Sequence, residues 1–220
     1  METKNFKTEM ILDTKAKYDS FAKVVVCGDN QVGKTSILKQ VLENEFDEDY
    51  TPTKGYQFNI VLIKVNDTVI KFQVWDMSGE ESYRPKLFNL YRNANLGILV
   101  YSVTSRESFN NLEEWIKKLK RKAPLTKIIL IGNKTDEKDK REVSFEEGKE
   151  ICSKHNLEYF EEVSAKEEFT SPNFLERGAI SLYKDIEAGS NDISAGVFTQ
   201  SVMLDPKEVF TPNKKPNCCL

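Results

Sequence analysis

Residues 28–35 read Gly28-Asp29-Asn30-Gln31-Val32-Gly33-Lys34-Thr35 and match the pattern G-x-x-x-x-G-K-[ST] at every fixed position. Before this stretch, residues 21–27 form an apolar run rich in β-branched side chains, which predicts a buried strand. After it, apolar residues at positions 37, 38, 41 and 42 recur at helical spacing. The context of strand, loop and helix therefore predicts a phosphate-binding loop.

The chemistry of this loop follows from its residue types. Gly28 and Gly33 permit backbone angles and close approaches that a Cβ atom would forbid. Successive backbone N–H groups then form an anion-binding nest, which the N-terminus of the following helix reinforces. Lys34 is expected to reach the β- and γ-phosphates, and the Thr35 hydroxyl is expected to bind Mg²⁺. The flanking strand and helix favour this interpretation over a plain glycine turn.

Length and composition predict one globular domain with tails. The chain has 220 residues, of which 39% are hydrophobic and 30% charged. A net charge of -3 argues against nucleic acid as a partner, and no apolar run approaches the ~20 residues that span a bilayer. The first residues show neither an apolar signal core nor a glycine at position 2, so we expect neither secretion nor myristoylation. The four cysteines are not expected to form a disulfide framework.

Three regions are expected along the chain: a flexible N-terminal extension at 1–20 with a partial helix near 10–17, one domain at 21–187, and a disordered tether at 188–220. Within the domain, strand and helix patterns alternate. Strands are predicted at 57–65, 69–75, 96–102, 127–132 and 158–163, and helices at 105–122, 143–155 and 173–186, with a loop and a further helix within 80–92. The predicted fold is α/β, a P-loop NTPase fold with a mainly parallel six-stranded sheet, one antiparallel edge strand and helices on both faces.

Further polar motifs lie in the loops between predicted elements, most of them directly after a strand, at the sheet edge where such folds bind ligands. They are the loop from Phe46 to Gly55 with Tyr50 and Thr53, the pair Asp76-x-x-Gly79, Asn133-Lys134-x-Asp136, and Ser164-Ala165-Lys166. Together with the phosphate loop, this set resembles the Ras superfamily of small GTPases from about residue 21 to 186. The sequence at 72–76 and the adjacent Cys218 and Cys219 are most similar to the Rab family.

The resemblance implies a site for GTP or GDP. Asp136 would accept hydrogen bonds from the guanine ring nitrogen and exocyclic amine, a donor pair that adenine lacks. Asn133 and Lys134 would brace the base and the phosphate loop, the Ala165 N–H would meet the guanine oxygen, and Phe46 would pack against the base. The nucleotide-contact set is then Asp29, Asn30, Gln31, Val32, Gly33, Lys34, Thr35, Ser36, Phe46, Tyr50, Thr53, Gly79, Asn133, Lys134, Asp136, Ser164, Ala165 and Lys166.

The resemblance also implies two switch loops around Mg²⁺. Thr35 and Thr53 would bind the ion, Asp76 would hold it through water, and the Gly79 N–H would touch the γ-phosphate. Loops ordered by the γ-phosphate are released when it leaves. The expected catalytic residues are Lys34, Thr53 and Glu80.

Two departures from the family pattern concern hydrolysis. Glu80 stands where the family usually has a glutamine that orients the attacking water; an ionised glutamate accepts hydrogen bonds but donates none. Asn30 and Gln31 stand where small residues are usual. We therefore expect slow hydrolysis that depends on an activating protein. One alternative is a GTP-binding module with little or no hydrolysis. A metabolic P-loop kinase is a remote alternative, because the guanine motif and the terminal cysteines disfavour it.

The terminal cysteines carry the second functional expectation. Two lipidated thiols give stable membrane anchoring that one does not, and the resemblance implies geranylgeranyl groups on Cys218 and Cys219. It further implies a monomer at the cytoplasmic face of an intracellular membrane that cycles with the cytosol and serves vesicle trafficking. The implied partners are an exchange factor, a GTPase-activating protein, effectors, a GDP dissociation inhibitor and the prenylation machinery.

Overall fold

The structure is a computed structural model that describes residues 6–11, 13–49, 51–79, 88–169 and 173–189. Its strands are β1 (Thr8–Ile11), β2 (Ser20–Cys27), β3 (Tyr56–Val65), β4 (Thr68–Met77), β5 (Leu96–Ser102), β6 (Lys127–Asn133) and β7 (Tyr159–Glu162). Its helices are α1 (Lys34–Glu43), α2 (Arg106–Asn110), α3 (Leu112–Lys122), α4 (Phe145–Lys154) and α5 (Phe174–Glu187), with 3₁₀ turns at Phe88–Tyr91 and Lys138–Lys140.

The strands of the described residues form one sheet in the order β1-β3-β4-β2-β5-β6-β7. β2 is parallel to β4 and β5, and the parallel pairing continues through β6 to β7. β3 is antiparallel to both of its neighbours, so it alone runs against the others. The predicted α/β architecture with a mainly parallel sheet is confirmed. The sheet has seven strands rather than six because β1 adds a strand outside β3.

β1 corrects the prediction of a partial helix at residues 10–17. Met10 lies opposite Ile63 in the antiparallel register, its Sδ accepts a hydrogen bond from Asn173 at 3.6 Å, and Phe6 packs edge-on against Tyr183. The open edge of β3 supplies hydrogen bonds to any extended chain beside it, and this outweighs a weak local helix pattern. The domain boundaries remain predictions, and residues 190–220 lie outside the described part.

The helices largely follow the predicted pattern. The Ser105 side chain accepts from the Ser108 N–H at the start of α2, as its N-cap role predicts. The predicted single helix at 105–122 is wrong in one respect, since it breaks at Asn111 into α2 and α3. Of the predicted loop and helix within 80–92, residues 80–87 lie outside the described part, and Phe88–Tyr91 forms a 3₁₀ turn. No helix among the described residues is long and apolar enough to cross a membrane.

The core lies on both faces of the sheet, as predicted. Alternate residues of β2 divide between the faces: Val24 and Val26 pack in one cluster with residues of α1 and α5, and Val25 and Cys27 in another with residues of α3. Both faces of the central strands are therefore buried. The polar motifs are thereby left at the carboxyl ends of the strands, where the loops converge.

Candidate functional site

A cleft of about 750 Å³ lies at the carboxyl edge of the sheet, within the size range of ligand sites. Most of the predicted nucleotide-contact residues line it, although motifs from five separate segments of the chain supply them. Those lining residues are Asn30, Gln31, Gly33, Lys34, Thr35, Ser36, Phe46, Thr53, Gly79, Asn133, Lys134, Asp136, Ala165 and Lys166.

Two positions of the phosphate loop require glycine. Gly28 has φ 140°, and a Cβ there would lie 2.1 Å from the Val100 carbonyl oxygen. Gly33 has φ 92°, and its Cβ would lie 2.2 Å from Nδ2 of Asn133. α1 begins directly after Gly33, so the N–H groups of its first turn open toward the cleft. The loop therefore has the close backbone approach and the helix N-terminus of an anion site.

Lys34 is held inside the loop. Its side chain is buried, and Nζ donates to the carbonyl oxygens of Gly28 at 3.1 Å and Asp29 at 2.6 Å. These bonds fix a positive charge within the wall of the cleft. The arrangement stabilises an anion there without a large reorganisation of the side chain.

Three oxygen-bearing side chains from three segments meet at the wall of the cleft, where Thr35 and Thr53 line it and Asp76 lies behind them. The Thr35 hydroxyl donates to Oδ2 of Asp76 at 2.5 Å and lies 2.7 Å from the Thr53 hydroxyl. Asp76 is fully buried, and its Oδ1 has no hydrogen-bond partner among the described residues. Burial raises the pKa of Asp76 to about 6, against the opposing effects of the Thr35 hydrogen bond and the Lys34 charge.

This oxygen cluster fits a hard divalent cation. Mg²⁺ prefers oxygen ligands and binds through one or two carboxylates, substrate phosphates and water. A buried carboxylate oxygen without a hydrogen-bond donor is costly alone, and a cation nearby would offset that cost. The residues present therefore suit the ion that the resemblance implies.

Asn133 joins the phosphate loop to the loop after β7. Its Nδ2 donates to the Val32 carbonyl oxygen at 2.9 Å, and its Oδ1 accepts from the Ala165 N–H at 3.1 Å. The side chain is 1% exposed. The Ala165 N–H, which the resemblance assigns to the guanine oxygen, thus already has a partner here.

Asp136 and its neighbours form the other end of the cleft. Oδ1 of Asp136 accepts from the Ser164 hydroxyl at 2.7 Å, and Oδ2 lies 3.8 Å from Nζ of Lys166. That same Nζ lies 5.6 Å from the ring centroid of Phe46. A carboxylate and an aromatic face thus flank the place where a planar base would enter.

Several predicted residues are placed outside the lining. Val32 and Ser164 act through the hydrogen bonds just described, and the Asp29 carboxylate faces α3 instead of the cleft. Tyr50 and Glu80 lie outside the described residues, as do Cys218 and Cys219.

The two atypical loop residues interact with each other. Oδ1 of Asn30 accepts from the Gln31 N–H at 3.0 Å, and Gln31 has φ 61°, a left-handed conformation unusual for a non-glycine residue. One donor of the predicted nest is therefore occupied by a side chain of the loop itself.

Asn111 and Trp115 belong to the surroundings of the site and were not predicted from the sequence. Asn111, the residue before α3, and Trp115, within α3, each donate a hydrogen bond to the Asp29 carboxylate. No motif marks them, since Asp29 lies 82 and 86 residues earlier in the chain.

The glycine loop between β2 and α1, with a buried lysine and an oxygen cluster below it, defines a P-loop nucleotide-binding protein. The sequence profile of the Ras family matches residues 23–180. The chain belongs to the Ras family and is a Rab-like small GTPase. Members of this family are GTPases that bind guanine nucleotides and Mg²⁺, and GTP hydrolysis is the activity this membership gives the chain.

Its relatives agree with this assignment. The chain is 40% identical over 153 residues to the Ras-related protein Rab-11B of Dictyostelium discoideum, covering 69% of each chain. It is 34% identical to the Ras-related protein RABA1i of Arabidopsis thaliana, covering 92% of this chain and 95% of that one. It is also 34% identical to the Ras-related protein Rab11D of Lotus japonicus, covering 94% and 97%.

Proposed function

We propose that this chain is a GTP/GDP-controlled switch that recruits effectors for vesicle trafficking at the cytoplasmic face of an intracellular membrane. The observation that carries the proposal is the contact between Thr35 and Thr53. It brings the loop before β3 onto the phosphate loop, at the buried Asp76. A loop held at this point through a bound ion responds to loss of the γ-phosphate.

The residues around the cleft divide by role. Lys34 and the backbone N–H groups after Gly28 bind the β- and γ-phosphates, and the Gly79 N–H senses the γ-phosphate. Thr35, Thr53 and Asp76 hold Mg²⁺, which neutralises phosphate charge when bound. These assignments agree with the anion-binding geometry of the loop and with the orphaned Asp76 oxygen.

Asp136 selects guanine in this proposal. Its carboxylate accepts from the base, and the Ser164 hydroxyl and the nearby Lys166 ammonium keep it oriented. Phe46 covers one face of the base. The Ala165 N–H exchanges its bond to Asn133 for the guanine oxygen, or shares it, because a carboxamide and a guanine carbonyl present the same acceptor chemistry.

The switch contact can be tested by limited proteolysis of the loop at 44–55. Loaded with a non-hydrolysable GTP analogue and Mg²⁺, the chain should be cut more slowly there than with GDP. Thr53→Ala should remove that difference, whereas Thr51→Ala, an exposed threonine of the same loop, should keep it. Equal protection of both nucleotide states in the unaltered chain would contradict the switch.

Hydrolysis is proposed to be slow and dependent on an activating protein. The Asn30–Gln31 hydrogen bond supports this, since it occupies a nest donor that would otherwise stabilise phosphate charge. Glu80 cannot donate to a phosphoryl oxygen while ionised. The same features favour, as the second candidate, a GTP-binding module with little intrinsic turnover.

Single-turnover phosphate release separates these two readings of Glu80. A Glu80→Gln variant should release phosphate faster than the unaltered chain, which should still turn over measurably. Release from the variant alone would favour the GTP-binding module. A native rate equal to or above that of the variant would show that Glu80 does not slow the reaction.

Membrane anchoring is proposed to occur through geranylgeranyl groups on Cys218 and Cys219. The implied partners are an exchange factor, an activating protein, effectors, a GDP dissociation inhibitor and the prenylation machinery. Expressed in cells, the chain should partition into membranes, and replacing both cysteines by serine should make it cytosolic. Unchanged partitioning of the double variant would refute lipid anchoring at these positions.

A further inference from the structure

The Asp29 side chain points away from the cleft, although Asp29 belongs to the phosphate loop. Trp115 Nε1 donates to Oδ1 at 2.9 Å, and Asn111 Nδ2 donates to Oδ2 at 2.7 Å. Each carboxylate oxygen thus has its own donor, and Trp115 is only 3% exposed. These bonds are partly buried, and hydrogen bonds to a charged acceptor are among the stronger ones in proteins.

The main chain of the same residue faces the cleft. The Asp29 carbonyl oxygen accepts from Nζ of Lys34 at 2.6 Å, the shorter of the two bonds that hold this ammonium. Because side-chain rotamer and backbone conformation are coupled, holding the Asp29 side chain restricts the direction of its carbonyl. The position of the Lys34 charge therefore depends on the two donors from the α3 region.

We propose that Asp29, Asn111 and Trp115 form a positioning unit, the α3 tie, which holds the phosphate loop and Lys34 in the geometry that retains nucleotide. The α3 tie rests on the nucleotide-binding role proposed above. Its members touch no nucleotide through their side chains; they act through the Asp29 backbone. The tie makes α3 a determinant of nucleotide residence time.

A purely structural role is the rival explanation, because Trp115 also packs in the core beside Leu112, Ile116 and Leu119. The chain offers a matched control, since it contains two tryptophans. Trp75 is similarly buried at 7% exposure, but its Nε1 has no hydrogen-bond partner among the described residues. Replacing either indole by phenylalanine removes similar volume, and only Trp115→Phe removes a bond to the phosphate loop.

The test measures dissociation of fluorescently labelled GDP from the full chain in Mg²⁺ with excess unlabelled GDP. Trp115→Phe should raise the dissociation rate about tenfold, the size expected for one hydrogen bond to a charged group, and Trp75→Phe should change it less than twofold. Asn111→Ala removes the other donor to Asp29. Because the Asn111 side chain makes no capping hydrogen bond to α3, the substitution should spare the helix and raise the dissociation rate about fivefold. It serves as a second variant if Trp115→Phe folds poorly.

A coupling measurement separates positioning from packing. If the α3 tie operates, Trp115→Phe should have little further effect on dissociation in a chain that already carries Asp29→Ala. The indole N–H resonance of Trp115 should also shift upfield in Asp29→Ala, because the charged acceptor is gone.

Three results would overturn the α3 tie. They are wild-type dissociation rates in Trp115→Phe and Asn111→Ala, equal effects of the two tryptophan variants, or additive effects of Asp29→Ala and Trp115→Phe. These results are distinguishable from failure of the proposed function, in which the unaltered chain retains no guanine nucleotide.

Discussion

Asn133→Ala should weaken nucleotide retention strongly, because Asn133 joins the phosphate loop to the loop after β7. The substitution removes its bonds to the Val32 carbonyl and the Ala165 N–H, both in a site that is almost closed to water. A buried partner left unsatisfied costs about 1–3 kcal/mol. In the bound state the Ala165 N–H has the guanine oxygen as an acceptor, so the Val32 carbonyl carries most of this cost. The loss is then roughly 1–3 kcal/mol, or about 5-fold to 150-fold in affinity.

Most of this loss should appear in the dissociation rate of labelled GDP, as is usual for variants of one binding site. Asn95→Ala provides the matched control: Asn95 also bonds a backbone N–H, that of Lys23 at 2.8 Å, but at the opposite edge of the sheet. It should lower the free energy of unfolding and leave GDP dissociation unchanged. If Asn133→Ala released GDP within threefold of the unaltered rate, the bridging role of Asn133 would be refuted.

Two further predictions concern stability. Gly28→Ala should lower the free energy of unfolding, measured by urea denaturation, by more than ~3 kcal/mol, because its Cβ would meet the Val100 carbonyl at 2.1 Å. Gly189 is also at positive φ but has open space around it, so Gly189→Ala should cost about 1 kcal/mol. Equal costs for the two substitutions would contradict the steric argument. The second prediction concerns Lys23, whose pKa burial lowers to about 8. Between pH 8 and 10 the unfolded chain therefore binds more protons than the folded one, and the folded state becomes more stable as the pH rises. Over this range the free energy of unfolding of the unaltered chain should rise by roughly 2 kcal/mol relative to that of Lys23→Met. A difference that stays constant or falls with pH would refute that shift.

The site residues that could be predicted are those that lie close together in the sequence or at the end of a predicted strand. The phosphate loop could be recognised from its local sequence, because its glycines, its lysine and its threonine all lie within residues 28–35. Asn133 and Asp136 were predictable because both lie at the carboxyl end of one buried strand, and parallel strands bring their carboxyl ends to one edge. The structure places them in one cleft for that reason.

The features that were missed depend on contacts between distant segments. β1 is a strand of four residues whose stability comes from the edge of β3, more than fifty residues later. The direction of the Asp29 side chain is likewise set by Asn111 and Trp115, which no local pattern connects with it. The break between α2 and α3 at Asn111 also escaped the helical periodicity, which continues across it.

Competition for the nucleotide site tests the central claim most directly. With the purified full chain in Mg²⁺, unlabelled GTP should displace labelled GDP at comparable concentrations. ATP should fail even at roughly 1,000-fold excess, because adenine offers the Asp136 carboxylate no matching pair of donors. Asp136→Ala should reduce that discrimination. Equal displacement by ATP, or no binding of either nucleotide, would contradict the account of a guanine-specific switch.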